Sequence, residues 1–132
     1  MRQAGRLNGI GGHIEPGETP AQAMQREFRE ETGVAHGDWY NFGELVAAAG
    51  QDANDPAEWR VHLFACFSSD VDAAETVTDE GVGTFSVSSL NIDNCTVADH
   101  AIMPNVSWLI PMALSFAKGE HCARFIVREV SR

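Results

Sequence analysis

Positive charge is scarce in this chain. Its 132 residues hold 9 Lys plus Arg against 19 Asp plus Glu, a formal net charge of −10. A surface that grips a polyanion needs clustered cations, so no nucleic-acid polymer is expected as a partner. A small anionic substrate would need help from a metal ion. Cysteine is equally sparse: Cys66, Cys95 and Cys122 are widely spaced, odd in number and outside any C-x-x-C pattern. That argues against a disulfide framework or a zinc site and leaves buried reduced thiols as the expectation. Long apolar runs are missing too. The opening MRQAGRLNGIGG has no signal-like apolar segment, and the greasiest stretch, WLIPMALSFA, is too short to cross a bilayer and contains Pro111. A soluble, cytoplasmic protein without membrane contact is the default expectation. No repeat or low-complexity tract is visible, and 44% apolar residues suffice for one core, so a single domain over residues 1–132 is expected.

What is present begins with glycine. The segment GRLNGIGGHIEPGE reads as a short strand entering a turn in which Gly9, Gly11, Gly12 and Gly17 permit close backbone approaches. A helix follows. Thr19 is a natural N-cap, Pro20 suits the first helical position, Gln22 completes a T-x-x-Q capping box, and Gly33 marks the stop. Helical spacing puts Ala21, Met24, Phe28 and Thr32 on one packing stripe, with Glu27, Glu30 and Glu31 on a neighbouring one. WYNFGELVAAAG and EWRVHLFACFSS have strand composition, the second alternating through Val61, Leu63 and Ala65, with a loop at QDANDPAE between them. EGVGTFSVSSL suggests another strand, NIDNCTVADH a polar loop, Asn105 to Lys118 a second helix carrying Pro111, and ARFIVREV a final strand. This mixture indicates an α/β or α+β layered domain.

The acids of the first helix are badly placed for folding alone. Glu27 shares a face with Glu30 and Glu31, and each like-charged pair costs roughly 0.2–0.5 kcal/mol. The last turn favours cations, yet Glu30 and Glu31 stand there. A positive partner is expected. Taken alone, the cluster reads as a solvated acidic face; its spacing from Gly12 and Arg26 says otherwise.

Gly12, five residues, Glu18, seven residues, Arg26-Glu27-Phe28, one residue, Glu30-Glu31, one residue and Gly33-Val34 match G-x5-E-x7-R-E-U-x-E-E-x-G-U in full, U being apolar. In this stretch the chain resembles the Nudix hydrolases. The resemblance implies a Nudix fold, a mixed β-sheet sandwiched between helices, and hydrolysis of a nucleoside diphosphate linked to another group, X. It implies Mg²⁺ or Mn²⁺ held by the Gly11 carbonyl with Glu27, Glu30 and Glu31, which with Arg26 form the catalytic set. Arg26 would orient a metal-binding glutamate, while Gly12 and Glu18 would support loop and helix; an ordinary surface ion pair is the alternative for Arg26 and Glu18. The chemistry agrees: a diphosphate repels both hydroxide and an acidic protein, and Mg²⁺ prefers hard oxygen ligands. No EF-hand loop is present, which disfavours calcium binding of that kind.

The expected reaction converts a nucleoside triphosphate to its monophosphate and pyrophosphate. The alternatives are a nucleotide-sugar or dinucleoside polyphosphate hydrolase, or a non-catalytic nucleotide-binding module. His13 is a candidate phosphate contact or an exposed turn residue. Glu80 is a candidate extra metal carboxylate or a plain loop acid. Trp39, Trp59, Phe85 and Trp108 offer stacking surfaces for a base, although packing roles are expected for most. Only eleven residues precede Gly12, so the family's first strand is expected to be missing or shortened. An open sheet edge there would favour a homodimer.

Overall fold

The computed structural model of the protein describes residues 2–3, 5–48, 58–66, 85–117 and 125–128. Strands β1 (Arg2–Gln3) and β2 (Arg6–Leu7) pair antiparallel about Gly5, which takes φ +77°. β2 supplies the short strand read before the glycine turn. The loop then bends at Glu15–Glu18, where Gly17 has φ +84° and the Glu18 N–H donates to the Glu15 carbonyl at 3.0 Å. Pro16 before a left-handed glycine is the chemistry of a type II turn.

Helix α1 (Pro20–Thr32) has the limits that its sequence signals predict. Thr19 Oγ1 accepts from Gln22 N at 3.1 Å, and Gln22 Oε1 accepts from Thr19 N at 2.9 Å, so two backbone donors that a helix start leaves open are satisfied reciprocally. At the other end Gly33 adopts φ +77° and donates to the Arg29 carbonyl at 2.8 Å. The packing face is shifted from the expected stripe. Phe28 and Thr32 are buried and Met24 is half-buried, but Ala21 is exposed and Ala23 is buried instead. Ala23 lies one turn before Glu27, the side on which Gly12 sits, whereas Ala21 is in the open first turn.

Strand β3 (Tyr40–Ala48) is buried continuously from Phe42 to Val46, as befits a strand covered on both faces. It pairs antiparallel with β4 (Glu58–Ala65), with a register shift between Asn41 and Gly43. On β4 the predicted alternation is only partly an inward face: Leu63 and Ala65 are half-buried, but Val61 is exposed. Glu44 is buried and accepts from Arg60 at 2.6 Å, with His62 Nδ1 at 3.6 Å, so the chain supplies compensation for a charge placed inside.

The strand expected across EGVGTFSVSSL is not found where the chain is described; residues 80–84 lie outside that part. Phe85 and Ser86 lead into a 3-10 turn, Val87–Ser89. Ser89 Oγ donates to the Ser86 carbonyl at 2.6 Å and the Ser86 and Ser88 hydroxyls lie 2.7 Å apart, local bonds that compete with a strand ladder. The expected polar loop instead contains a small antiparallel meander, β5 (Leu90–Asn91), β6 (Thr96–Val97) and β7 (His100–Ala101). Positive φ at Cys95, Ala98 and Asp99 keeps its strands to two residues each. Helix α2 (Pro104–Ala117) follows, with Pro111 inside it rather than near its start. Pro111 has no N–H for the Ser107 carbonyl.

Strand β8 (Phe125–Arg128) pairs parallel with β3, so β4-β3-β8 is a mixed sheet. The expectation of one mixed sheet between helices is therefore met in its mixed character only: the described strands form this sheet, the β1-β2 hairpin and the β5-β6-β7 meander. α2 meets the mixed sheet through Phe116, 6.5 Å from Phe42, and α1 runs against β4. Cys66 and Cys95 are half-buried thiols rather than fully buried ones, because they sit at a strand end and in a turn; Cys122 lies outside the described residues. No helix among the described residues is long and apolar enough to cross a membrane.

Phe28 is 7% exposed and its ring meets Trp39 edge-on at 5.0 Å. Phe28→Ala should cost about 3–5 kcal/mol, and Thr19→Ala, which removes one half of the cap, about 1 kcal/mol. Urea unfolding followed by circular dichroism measures both, and equal losses would refute this ranking.

Candidate active site

The guanidinium of Arg26 joins the glycine loop to α1. Its Nε donates to Glu18 Oε2 at 2.7 Å and its Nη2 to Glu18 Oε1 at 3.0 Å, a bidentate pair. Nη2 also donates to the His13 carbonyl at 3.0 Å. The remaining nitrogen, Nη1, is shared between Glu27 Oε1 at 2.9 Å and Glu30 Oε2 at 3.3 Å. Glu15, which the sequence reading did not single out, completes the frame: its N–H donates to Glu18 Oε1 at 2.9 Å, and its carboxylate stands 3.8 Å from Arg26 Nε. The signal for it was the E-P-G-E turn, which brings its ends together.

Three carboxylates of α1 thus have three different settings. Glu27, 17% exposed at the side chain, lies against the glycine loop, and Glu30 is 56% exposed. Glu31 is turned inward at 5% exposure, so the acidic stripe is not uniformly presented. Its position between Phe28, three residues before, and Glu27, four before, puts it at the border of the packing face. A Cβ at Gly12 would fall 2.6 Å from Cδ and 3.0 Å from Oε2 of Glu27, and closer still to Oε1. Only glycine lets the loop come this near the carboxylate.

His13 is exposed, its ring 6.0 Å from that of Trp59. Glu80 lies outside the described residues. Trp39 packs on Phe28 and donates to the His36 carbonyl at 2.7 Å, a structural role. Trp108 is half-buried on α2. Phe85 lines a cleft of about 280 Å³ that begins at Leu7–Ile10 and is closed by Val87, Leu90 and residues of α2. The cleft exists because the loop is tied back: Met103 N donates to the Leu7 carbonyl at 2.9 Å beside a parallel bridge between Leu7 and Ile102. Sequence spacing carries no signal for that long-range contact.

The donor set fits a hard divalent cation in kind. Glu27 Oε2 and Glu30 Oε1 accept no hydrogen bond from the described residues, and Gly12 leaves a carboxylate-sized cradle over the loop. Among the described residues no group of three or more His, Cys, Asp and Glu is already gathered for a metal; Arg26 supplies the local positive charge to Glu27 and Glu30.

The same arginine holds the Glu18 carboxyl below its ordinary value of 4.5, with the Glu15 backbone bond adding to the effect. Conversely Glu18, and after it Glu27, raises the guanidinium's pKa. A carboxyl lowered in the folded state contributes stability that is present above about 4.5 and lost as pH falls through the lowered value. The melting temperature should therefore fall on the acid side of pH 4.5, with a shallower fall in Glu18→Gln. Parallel curves for the two proteins would refute the assignment.

A family model described as the NUDIX domain matches residues 1–105. The match runs from the first strand past the glycine loop, α1 and β4 to the start of α2, well over half of the chain. On this match the chain belongs to the Nudix family, whose domain implies hydrolysis of nucleoside diphosphate derivatives and whose enzymes generally use divalent metals such as Mg²⁺.

Proposed function

We propose that the protein is a Mg²⁺- or Mn²⁺-dependent nucleotide pyrophosphohydrolase that converts a nucleoside triphosphate to its monophosphate and pyrophosphate. The observation that carries this reading is the Arg26 frame, which holds Glu27 over Gly12 while keeping Glu30 and Glu31 on the same helix. Glu27, Glu30 and Glu31, with the Gly11 carbonyl, would hold the ion. When bound, it would neutralise phosphate charge and lower the pKa of the attacking water.

Every other task falls to the chain. Arg26 acts as a positioning residue, since its guanidinium nitrogens are engaged by Glu18, the His13 carbonyl, Glu27 and Glu30. A carboxylate of the set takes the proton of the attacking water as its oxygen bonds to phosphorus, and the bridging P–O bond breaks to release pyrophosphate. The cleft at Leu7–Ile10 supports binding of a base. At about 280 Å³ it is just smaller than sites for whole drug-sized ligands, roughly 300–1,000 Å³, and suits a ring system. It opens on the loop residues that lead directly to Gly11 and Gly12.

Glu31→Gln and Glu27→Gln should each lower kcat on the order of 10²–10⁴-fold, and Arg26→Lys about 10–100-fold through misplaced carboxylates. Chelation by EDTA should abolish turnover and Mg²⁺ or Mn²⁺ should restore it. A nucleotide panel, with pyrophosphate and phosphate read separately, checks each outcome. Full activity in Glu31→Gln, or no turnover with either metal, would overturn the reading.

A further inference from the structure

The cleft that begins at Leu7 has aliphatic walls except in one place. Leu7, Ile10, Val97, Ile102 and Ile110 offer no flat surface, and Phe85 supplies the one aromatic ring among the described residues that line it. A base has a π-face, and a facing ring gains more from it than an aliphatic wall does. That gain depends on the ring being held in place. Phe85 is half-buried and precedes the 3-10 turn Val87–Ser89, so neither a helix nor a strand ladder fixes it.

What braces it is His100 on β7, whose ring lies 5.2 Å from that of Phe85, tilted by 53°. His100 is exposed, yet its Nδ1 lies 2.9 Å from the Ala98 carbonyl, an oxygen that can only accept. Nδ1 therefore carries the hydrogen, and the ring is anchored to its own hairpin. The hairpin has an uncommon backbone. Val97 pairs with His100 across a two-residue turn in which Ala98 takes φ 46° and Asp99 φ 64°. Hairpins favour positive φ at both places but normally put Asn, Asp or Gly there, so Ala98 is the exception. Its N–H donates to Ser89 Oγ at 3.1 Å, which ties the turn to the segment that follows Phe85.

We propose that His100 is a positioning residue for the base of the substrate: anchored to the Ala98 carbonyl, its ring props Phe85 as the wall against which the base lies. Phe85 touches the base, and His100 acts through it. The proposal rests on the nucleotide reading above and adds the residues by which the cleft tells a nucleotide from a bare phosphate chain. The hairpin's exposure favours this role over packing. Ala98, Asp99 and His100 are all exposed, so the uncommon turn is not repaid by apolar burial, and strained backbone of that kind persists where a site uses it. Without the brace Phe85 keeps its chemistry and loses its orientation. The loss then falls on binding of the base and not on the step at phosphorus, which the Arg26 frame serves.

The test is calorimetry in Mg²⁺ with a nucleoside triphosphate methylene-bridged between its first two phosphates and with the same compound lacking the base. The wild-type protein should bind the complete nucleotide on the order of tenfold more tightly. His100→Ala should remove most of that advantage while leaving the affinity for the baseless compound unchanged, and Phe85→Leu should do the same. In the Phe85→Leu background, His100→Ala should cost nothing further, because the ring it acts through is gone. In turnover, His100→Ala should raise KM by a similar factor with kcat held. Equal wild-type affinities, an advantage that survives His100→Ala, an added loss in the double variant, or a fall in kcat at constant KM would overturn the proposal. Binding is read without cleavage at the bridge, so failure of the hydrolase reading appears in the turnover panel and failure of the brace here. His100 is exposed, so its replacement leaves the core untouched.

Discussion

One guanidinium sets the geometry on which the candidate site depends. Arg26 spends Nε and Nη2 on Glu18 and the His13 carbonyl, and Nη1 on Glu27 and Glu30. A lysine, with a single charged nitrogen, could not hold one edge on the loop and present another to the helix. The loop's path, the closeness of Gly12 to Glu27 and the fixed backbone of His13 all follow from this fork. Its partners are shielded enough for charge-assisted hydrogen bonds to matter yet open enough to avoid the full desolvation cost of a buried pair.

This arrangement changes the electrostatic account of α1. Like charges at Glu27, Glu30 and Glu31 demand a positive partner, and a metal ion from outside the chain was the expected one. Part of that charge is internal, because Nη1 lies between Glu27 and Glu30. The two roles are compatible, since each carboxylate gives one oxygen to Arg26 and keeps a second. Glu31 differs in setting: at 5% exposure it is turned inward, whereas Glu30 lies open.

The loop also links two surfaces of different character. At one end, the bonds from Met103 and Ile102 to Leu7 draw the chain beside α2 and open an apolar cleft. At the other end, His13 meets the exposed ring of Trp59. Gly11 and Gly12 run between them without side chains, which suits a polyphosphate that must approach the backbone.

The local features were readable from the chain alone. Thr19, Pro20, Gln22 and Gly33 set the limits of α1, because capping is settled by residues within a turn of each other. The spacing of Gly12, Glu18, Arg26, Glu27, Glu30 and Glu31 repeats a family pattern, and in the structure Arg26 bonds to Glu18, Glu27 and Glu30. Composition also announced the central strand, β3, which is buried from Phe42 to Val46. Tertiary structure alone decided that Glu31 faces inward, that Nη1 is shared, that Ala23 replaces Ala21 in the packing, and that serine bonding turns Val87–Ser89 into a 3-10 turn. It also decided the cleft and the exposure of Trp59. These depend on which distant segment covers a residue or offers it a partner, and neither periodicity nor spacing along the chain encodes that.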